Sequence, residues 1–309
     1  MKLKKPKFWD EKYNLITLLL VPLTIIFYFL TIIIKKITTA KKFKIPVICI
    51  GNIYLGGTGK TPLAIKINNI LKKERKPIIV KKYYEDQVDE QLLIKKRAGN
   101  LITHKKRDLA IKLAENESYD VVILDDGLQD HGIHKNCNIV CFNNKQKIGN
   151  GFIFPAGPLR EKFSSLVNAN IVIINGERDE SFEKKIRNVS EDIEIFYSNY
   201  VAKNLDEFKN EELLAFAGIG NPKNFFSLLE KSGLVVKKKI YFPDHYNYTK
   251  QELLDIIMKS KKDNYKIITT EKDFCRIEKF RLKEINFLEI DILISNEDKL
   301  ISKIKENIV

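Results

Sequence analysis

Gly51-Asn-Ile-Tyr-Leu-Gly-Gly-Thr-Gly-Lys-Thr-Pro62, set directly after the apolar run Pro46-Val-Ile-Cys-Ile50, is the stretch that decides the fold. A buried strand that turns through glycines into a helix can aim backbone N–H groups at phosphate oxygens. A lysine then serves the β and γ oxygens, and a hydroxyl serves a divalent cation. Gly56, Gly57, Thr58, Gly59, Lys60 and Thr61 supply those parts. The strict GxxxxGK[ST] spacing would require glycine at Tyr54, so this is a GGxGK[ST] variant of the loop. A bland glycine turn would not need a buried strand before it and an amphipathic helix after it.

On either side, short apolar runs alternate with helical patterns. PIIV (77–80), DVVILDD (120–126), NIVCF (138–142) and NIVII (170–174) read as strands, with helices over Thr61 to Lys73, from about Glu90, and over Arg107 to Glu115. Strands without polar alternation are buried on both faces, and helices between them imply parallel crossovers. A doubly wound α/β domain, mostly parallel and P-loop NTPase-like, is expected over 45–178. Beyond Glu177 the chain turns polar. A second series then begins with LLAFAG (213–218), LVVKKKIYF (234–242), KIITT (266–270) and FLEIDILI (287–294), each linked to a helix. This predicts a smaller α/β domain over 179–309 that closes the active-site cleft.

A P-loop needs an acidic partner at the end of a neighbouring strand. Val121-Val-Ile-Leu-Asp-Asp126 delivers Asp125 and Asp126, one to face Mg²⁺ and the other to hold the loop; Asp125 is set down for the metal and Asp126 for catalysis beside Lys60, and which of the two holds the metal stays open. An [NT]KxD guanine-reading motif is absent, since Thr270-Glu-Lys-Asp273 has the wrong spacing, so ATP is the expected nucleotide.

The 54 Lys and Arg exceed the 40 Asp and Glu by 14, but the excess is local. Residues 1–44 carry ten lysines against Asp10 and Glu11, or +8, and the other 265 residues share +6. The charge therefore forms a patch suited to anionic headgroups and gives no sign of a nucleic-acid partner. Within it, Asn14 to Ile34 is a run of 21 uncharged residues, about 31 Å long as a helix and near the hydrocarbon thickness of a bilayer. Asn14, Thr17, Thr24, Tyr28 and Thr31 fall on one side of the wheel, and Pro22 is expected to kink the middle. Lysines flank both ends and give the positive-inside rule little to choose, which favours a monotopic anchor over a span or a buried core helix. The run is too long for a cleaved signal peptide. Four cysteines without a CxxC pair predict neither a disulfide framework nor a zinc site.

GNIYLGGTGKTP, DDGLQD (125–130), PAGPLRE (155–161), AGIGNPKNFF (217–226), FPDHYNY (242–248) and TTEKD (269–273) occur in order behind the basic, apolar N-terminus. In these motifs the chain resembles the tetraacyldisaccharide 4′-kinase family of lipid A biosynthesis. The resemblance implies an enzyme on the cytoplasmic face of the bacterial inner membrane. It would transfer the γ-phosphate of ATP to the 4′-hydroxyl of an anionic acylated disaccharide lipid. It also implies Arg160 and Gln129 at the nucleotide, Glu161 at the metal or its waters, Asp89 as base and His245 as its partner. The family commonly reads Gly-Asp-Glu-Pro where Val88-Asp89-Glu90-Gln91 stands, and Ser-Arg-Gly-Tyr where Lys81-Lys-Tyr-Tyr84 stands. Two other classes stay open at this point: a P-loop switch or metallochaperone-like ATPase of the GGxGKT type, and a nucleotide-binding membrane-docking module.

Overall fold

The run after the basic flank folds as strand β1 (Val47–Gly51), buried at every position, in a computed structural model that describes residues 6–12 and 14–308. Ahead of it lies helix α1 (Leu15–Ile37), with Asn14 as N-cap accepting from the Ile16 amide at 2.8 Å. Pro22 lies inside α1 without ending it. Lys2, Lys4 and Lys5 of the basic flank lie outside the described residues.

The chain continues through α2 (Lys60–Leu71), β2 (Pro77–Lys82), α3 (Val88–Ala98), β3 (Leu101–His104), α4 (Arg107–Asn116) and β4 (Val121–Asp125). Next come β5 (Cys137–Asn143), β6 (Ile171–Asn175), α5 (Glu180–Arg187), β7 (Glu194–Ala202), β8 (Glu212–Ala217) and α6 (Pro222–Lys231). The remainder is β9 (Val235–Tyr241), α7 (Lys250–Lys262), β10 (Lys266–Thr270), α8 (Glu271–Ile277), β11 (Ile285–Leu288), β12 (Ile290–Ile294) and α9 (Glu297–Asn307). Among the described residues one compact unit comprises 6–83, 98–199 and 292–308, and another comprises 84–97 and 200–291. These bounds run differently from the 44/45 and 178/179 divisions read from the sequence.

The larger unit is built on an eight-stranded sheet ordered β12-β7-β6-β5-β1-β4-β2-β3. The pairs of β1 with β4 and β5, of β2 with β3 and β4, and of β6 with β5 and β7 are all parallel. β1 thus lies between β4 and β5, and the loops leaving β1 and β4 meet at the carboxyl end of the sheet, where open α/β sheets bind ligands. Ile111 and Ala114 of α4 cover β1, β2 and β4, while Phe182 and Ile186 of α5 pack on Phe142 and Val172. The smaller unit carries a four-stranded parallel sheet, β11-β10-β8-β9, between two apolar clusters centred on Phe225 and Phe226 of α6 and on Leu253 and Ile257 of α7. The capping box of Thr249 and Glu252 starts α7.

Two elements differ from expectation. The polar stretch beyond Glu177 folds as α5 and β7, the latter paired in register with β6 from Ile171 opposite Glu194. FLEIDILI, read as one strand, divides at Glu289 into β11 and β12, which join different sheets.

α1 turns its polar stripe inward. Thr17 and Thr24 are buried, whereas Leu15, Leu18, Leu19, Ile26, Phe29 and Ile33 are exposed. The Thr24 hydroxyl donates to the Ile153 carbonyl at 3.2 Å and accepts from the Ala156 amide at 3.0 Å. Trp9 Nε1 donates to the Pro155 carbonyl, and Asn150 Nδ2 to the carbonyls of Phe8 and Ala156. Lys162 lies 3.8 Å from the centre of the Tyr28 ring. By length and composition α1 could cross a membrane, and most of its apolar surface is uncovered.

Candidate active site

In the larger unit the loop after β1 is shaped from within. Asn52 Nδ2 donates to the carbonyls of Tyr54 and Gly56, and Gly59, at φ 92°, adopts the left-handed conformation that sets the first turn of α2. α2 opens on Lys60 and Thr61 with no side-chain cap on its first turn, so the positive end of its dipole lies at the loop, an arrangement suited to phosphate. The Thr58 hydroxyl is buried in this loop with no hydrogen-bond partner.

β4 brings its two aspartates to this point in different ways. Asp125, the last residue of the strand, is fully buried, and its Oδ2 accepts from the Thr61 hydroxyl at 2.9 Å and from the Lys81 ammonium at 2.7 Å. Asp126, at φ 60°, turns out of the strand. Its Oδ1 meets Arg160 Nη1 at 2.9 Å and Lys60 Nζ at 3.6 Å. Burial pushes the Asp126 carboxyl up, but the charges of Lys60, Arg160 and Lys81 outweigh it and hold the group below the usual carboxylate range. Gln129 ties the remaining residues together: its Oε1 accepts from Arg160 Nη1, and its Nε2 donates to Glu161 Oε1 and to the Asn52 carbonyl, each at 3.0 Å.

All the residues expected at the nucleotide and metal therefore lie on the connected loops of one unit. The donors fit a hard divalent cation. Thr61, Asp125 and Glu161 offer oxygen, and Asp125 Oδ1 is buried without a hydrogen-bond partner, a lone pair set aside for a ligand. Among the described residues no three His, Cys, Asp or Glu side chains converge to cage a metal, so phosphate and water oxygens would complete the shell, as is usual for magnesium. Two residues here carried no expected role. Lys81 holds Asp125, and Arg107 Nη2 donates to the Asp126 carbonyl at 2.5 Å.

The smaller unit holds the expected base and its partner. Asp89, in the first turn of α3, and His245, in the turn after β9, meet at 2.9 Å between Oδ1 and Nδ1. His245 adopts a left-handed backbone, φ 55°, and its amide donates to the Gly218 carbonyl. Each ring nitrogen faces a carboxylate and a cation: Nδ1 lies against Asp89 with Arg276 Nη2 at 3.3 Å, and Nε2 lies 3.5 Å from the Lys272 ammonium and 3.8 Å from Asp244 Oδ2.

Lys272 also reaches Asp89 at 3.4 Å, Glu90 at 2.9 Å and Asp244 at 3.9 Å. Burial works against the Lys272 charge, but these three acids hold its proton more firmly than usual. Arg276 Nη2 grips Asp89 Oδ2, while Nη1 donates to Asp273 Oδ1 and the Gly218 carbonyl at 3.0 Å. Burial drives the Asp89 carboxyl up, yet the His245 hydrogen bond and the charges of Lys272 and Arg276 bring it down to about 2. Asp273, the N-cap partner of Thr270 at the start of α8, is fully enclosed, and burial leaves its carboxyl above the ordinary value. Lys272 lies within TTEKD and Arg276 just beyond it, and neither carries an expected role. Their helical spacing, four apart on one face, was the available signal.

The family model of Tetraacyldisaccharide-1-P 4'-kinase matches residues 16–309. The chain is 43% identical over 312 residues to the tetraacyldisaccharide 4'-kinase of Pelagibacter ubique, with 98% of each chain covered. It is 32% identical to that of Rickettsia typhi, again with 98% of each covered. Its fold is similar to a crystal structure of LpxK from Aquifex aeolicus in complex with ATP. The TM-score is 0.74 at 21% identity, with 96% of this chain and 100% of that one covered.

Proposed function

The chain belongs to the tetraacyldisaccharide-1-P 4′-kinase family, and from that premise we propose that it transfers the γ-phosphate of ATP to the 4′-hydroxyl of a tetraacyldisaccharide 1-phosphate. The observation that carries this reading is the pairing of Asp89 with His245. A nucleotide switch activates only water, and a docking module activates nothing, so neither needs an oriented carboxylate for an acceptor alcohol.

In this mechanism the amides of residues 56–61 and the Lys60 ammonium hold the donor phosphates. Arg160, steered by Asp126 and Gln129, offsets the charge that spreads over the transferring phosphoryl oxygens. Thr61, Asp125 and Glu161 are the residues that would hold a magnesium ion or its waters, and such an ion would supply neutralisation of phosphate charge. Asp89 accepts the proton of the acceptor hydroxyl as that oxygen bonds to the γ-phosphorus and the bond to ADP breaks. His245 keeps the carboxylate aimed. A carboxylate whose proton leaves near pH 2 is a weak base. It suffices because the transition state is loose and the hydroxyl proton departs late.

The substrate is both lipid and anion, which suits an enzyme whose anchor helix is apolar and flanked by lysines. α1 would lie at the cytoplasmic face of the inner membrane with Leu18, Ile26 and Ile33 in the acyl region. Its polar stripe is already taken up by the protein, and this favours a monotopic seat. The test supplies γ-labelled ATP with and without the acylated disaccharide 1-phosphate. Label in the lipid supports the kinase, and steady phosphate release without lipid replaces it with the switch.

A further inference from the structure

Lys81 is a buried ammonium for which the mechanism above has no use. It sits near the end of β2, its Cα in register with that of Asp125 on the adjacent strand, with the side chain only 5% exposed. Its Nζ lies 2.7 Å from Asp125 Oδ2, the same oxygen that accepts from Thr61. Asp125 therefore has one oxygen engaged by a fixed cation and a hydroxyl, and the other buried without a partner. A divalent ion drawn to this carboxylate meets a charge that is already half spent, and it meets a like charge a few ångströms away.

We propose that Lys81 is a specificity-determining residue of the divalent-cation site: its ammonium competes with the metal for Asp125, so this chain binds the ion weakly and depends less on it to hold the nucleotide. Two consequences follow from charge alone. With the metal absent, Lys81 keeps Asp125 from repelling the donor phosphates, so nucleotide binding survives chelation. With Lys81 neutralised, Asp125 is released to the metal and metal and nucleotide binding become strongly coupled. The inference rests on the reading of the loop after β1 as a nucleotide site.

The experiment uses the full chain in detergent, a non-hydrolysable ATP analogue, and Mn²⁺ as a probe ion read by electron paramagnetic resonance. In the wild type, EDTA is expected to weaken analogue binding by less than about tenfold, and in K81S and K81Q by far more. Both variants should bind Mn²⁺ about tenfold or more tightly than wild type in the presence of the analogue. K81Q keeps a donor for Asp125 Oδ2 and guards against misfolding of K81S. A hundredfold loss of analogue affinity on chelation in the wild type overturns the proposal without recourse to any variant. So does unchanged or weaker Mn²⁺ binding in either folded variant. Failure of the wild type to bind the analogue at all, with or without metal, instead removes the nucleotide reading on which the proposal stands.

Discussion

Replacing Asp89 by asparagine tests the base and its setting together. The side chain is nearly the same size, so the change is in charge. The carboxyl falls from an ordinary 3.8 to about 2 in the folded protein, which corresponds to about 2.5 kcal/mol of stability at neutral pH. Because the folded value lies below the unfolded one, this stabilisation is present in full above about pH 4 and is lost as pH falls through about 2. About half remains at pH 3. The loss stays near this figure because the cations released have other partners: Glu90 and Asp244 for Lys272, and Asp273 for Arg276. The assay is denaturant unfolding of wild type and D89N between pH 7 and pH 3. A gap of about 2–3 kcal/mol at pH 7 should narrow by about half at pH 3. Turnover should fall by about 10²–10⁴ while affinity for ATP holds. A gap that does not change with pH would show that the carboxylate is not held in its charged form. Wild-type turnover in D89N would remove Asp89 from the chemistry.

D125N and D126N should differ in kind. The former removes the carboxylate charge 2.7 Å from the buried Lys81 ammonium, costing about 3–5 kcal/mol in unfolding free energy, while the latter leaves stability within about 1 kcal/mol and lowers turnover through Lys60 and Arg160; equal effects from both would refute the assignment. T24V leaves the Ala156 amide unpaired, while the Ile153 carbonyl keeps the Gly157 amide, and should cost about 1–3 kcal/mol, with T24S restoring most of it, as read by denaturant unfolding in detergent. Raising salt should release part of the protein from anionic vesicles in flotation, since charges are screened beyond about 8–10 Å; complete release would mean that α1 is not inserted.

The phosphate loop, its strand and the paired aspartates were legible because local spacing carries their chemistry. The inward face of α1 was legible too, since Thr17 and Thr24 lie seven apart on one stripe. What they bond to was not, and an anchor read as lying outside the P-loop fold is hydrogen-bonded to the loop that leads into Arg160. β7 was missed because it alternates and is only partly buried, and the run 287–294 hides a change of sheet behind the single residue Glu289. Asp89 and His245 are 156 positions apart, so resemblance alone brought them together. Lys81 was seen only as a departure from the family pattern. Its role needs the register of β2 against β4, which no single segment contains.

The path of the chain between the two units, leaving the larger one after residues 83 and 199 and returning at 98 and 292, sets an order of events during synthesis. Domains commonly fold as they emerge, the N-terminal one first. Here the larger sheet cannot be completed in that way, because its edge strand β12 and the helix α9 are made only after all of the smaller unit. Until then β7 presents an unpaired edge, the kind of surface that recruits foreign strands. The smaller unit, for its part, must wait with α3 in hand until residues 200–291 arrive. A nascent chain halted between Ala202 and Ile290 thus holds the nucleotide loop and both aspartates on an unfinished sheet. Ribosome-bound intermediates of this length are where a holding chaperone would be needed most.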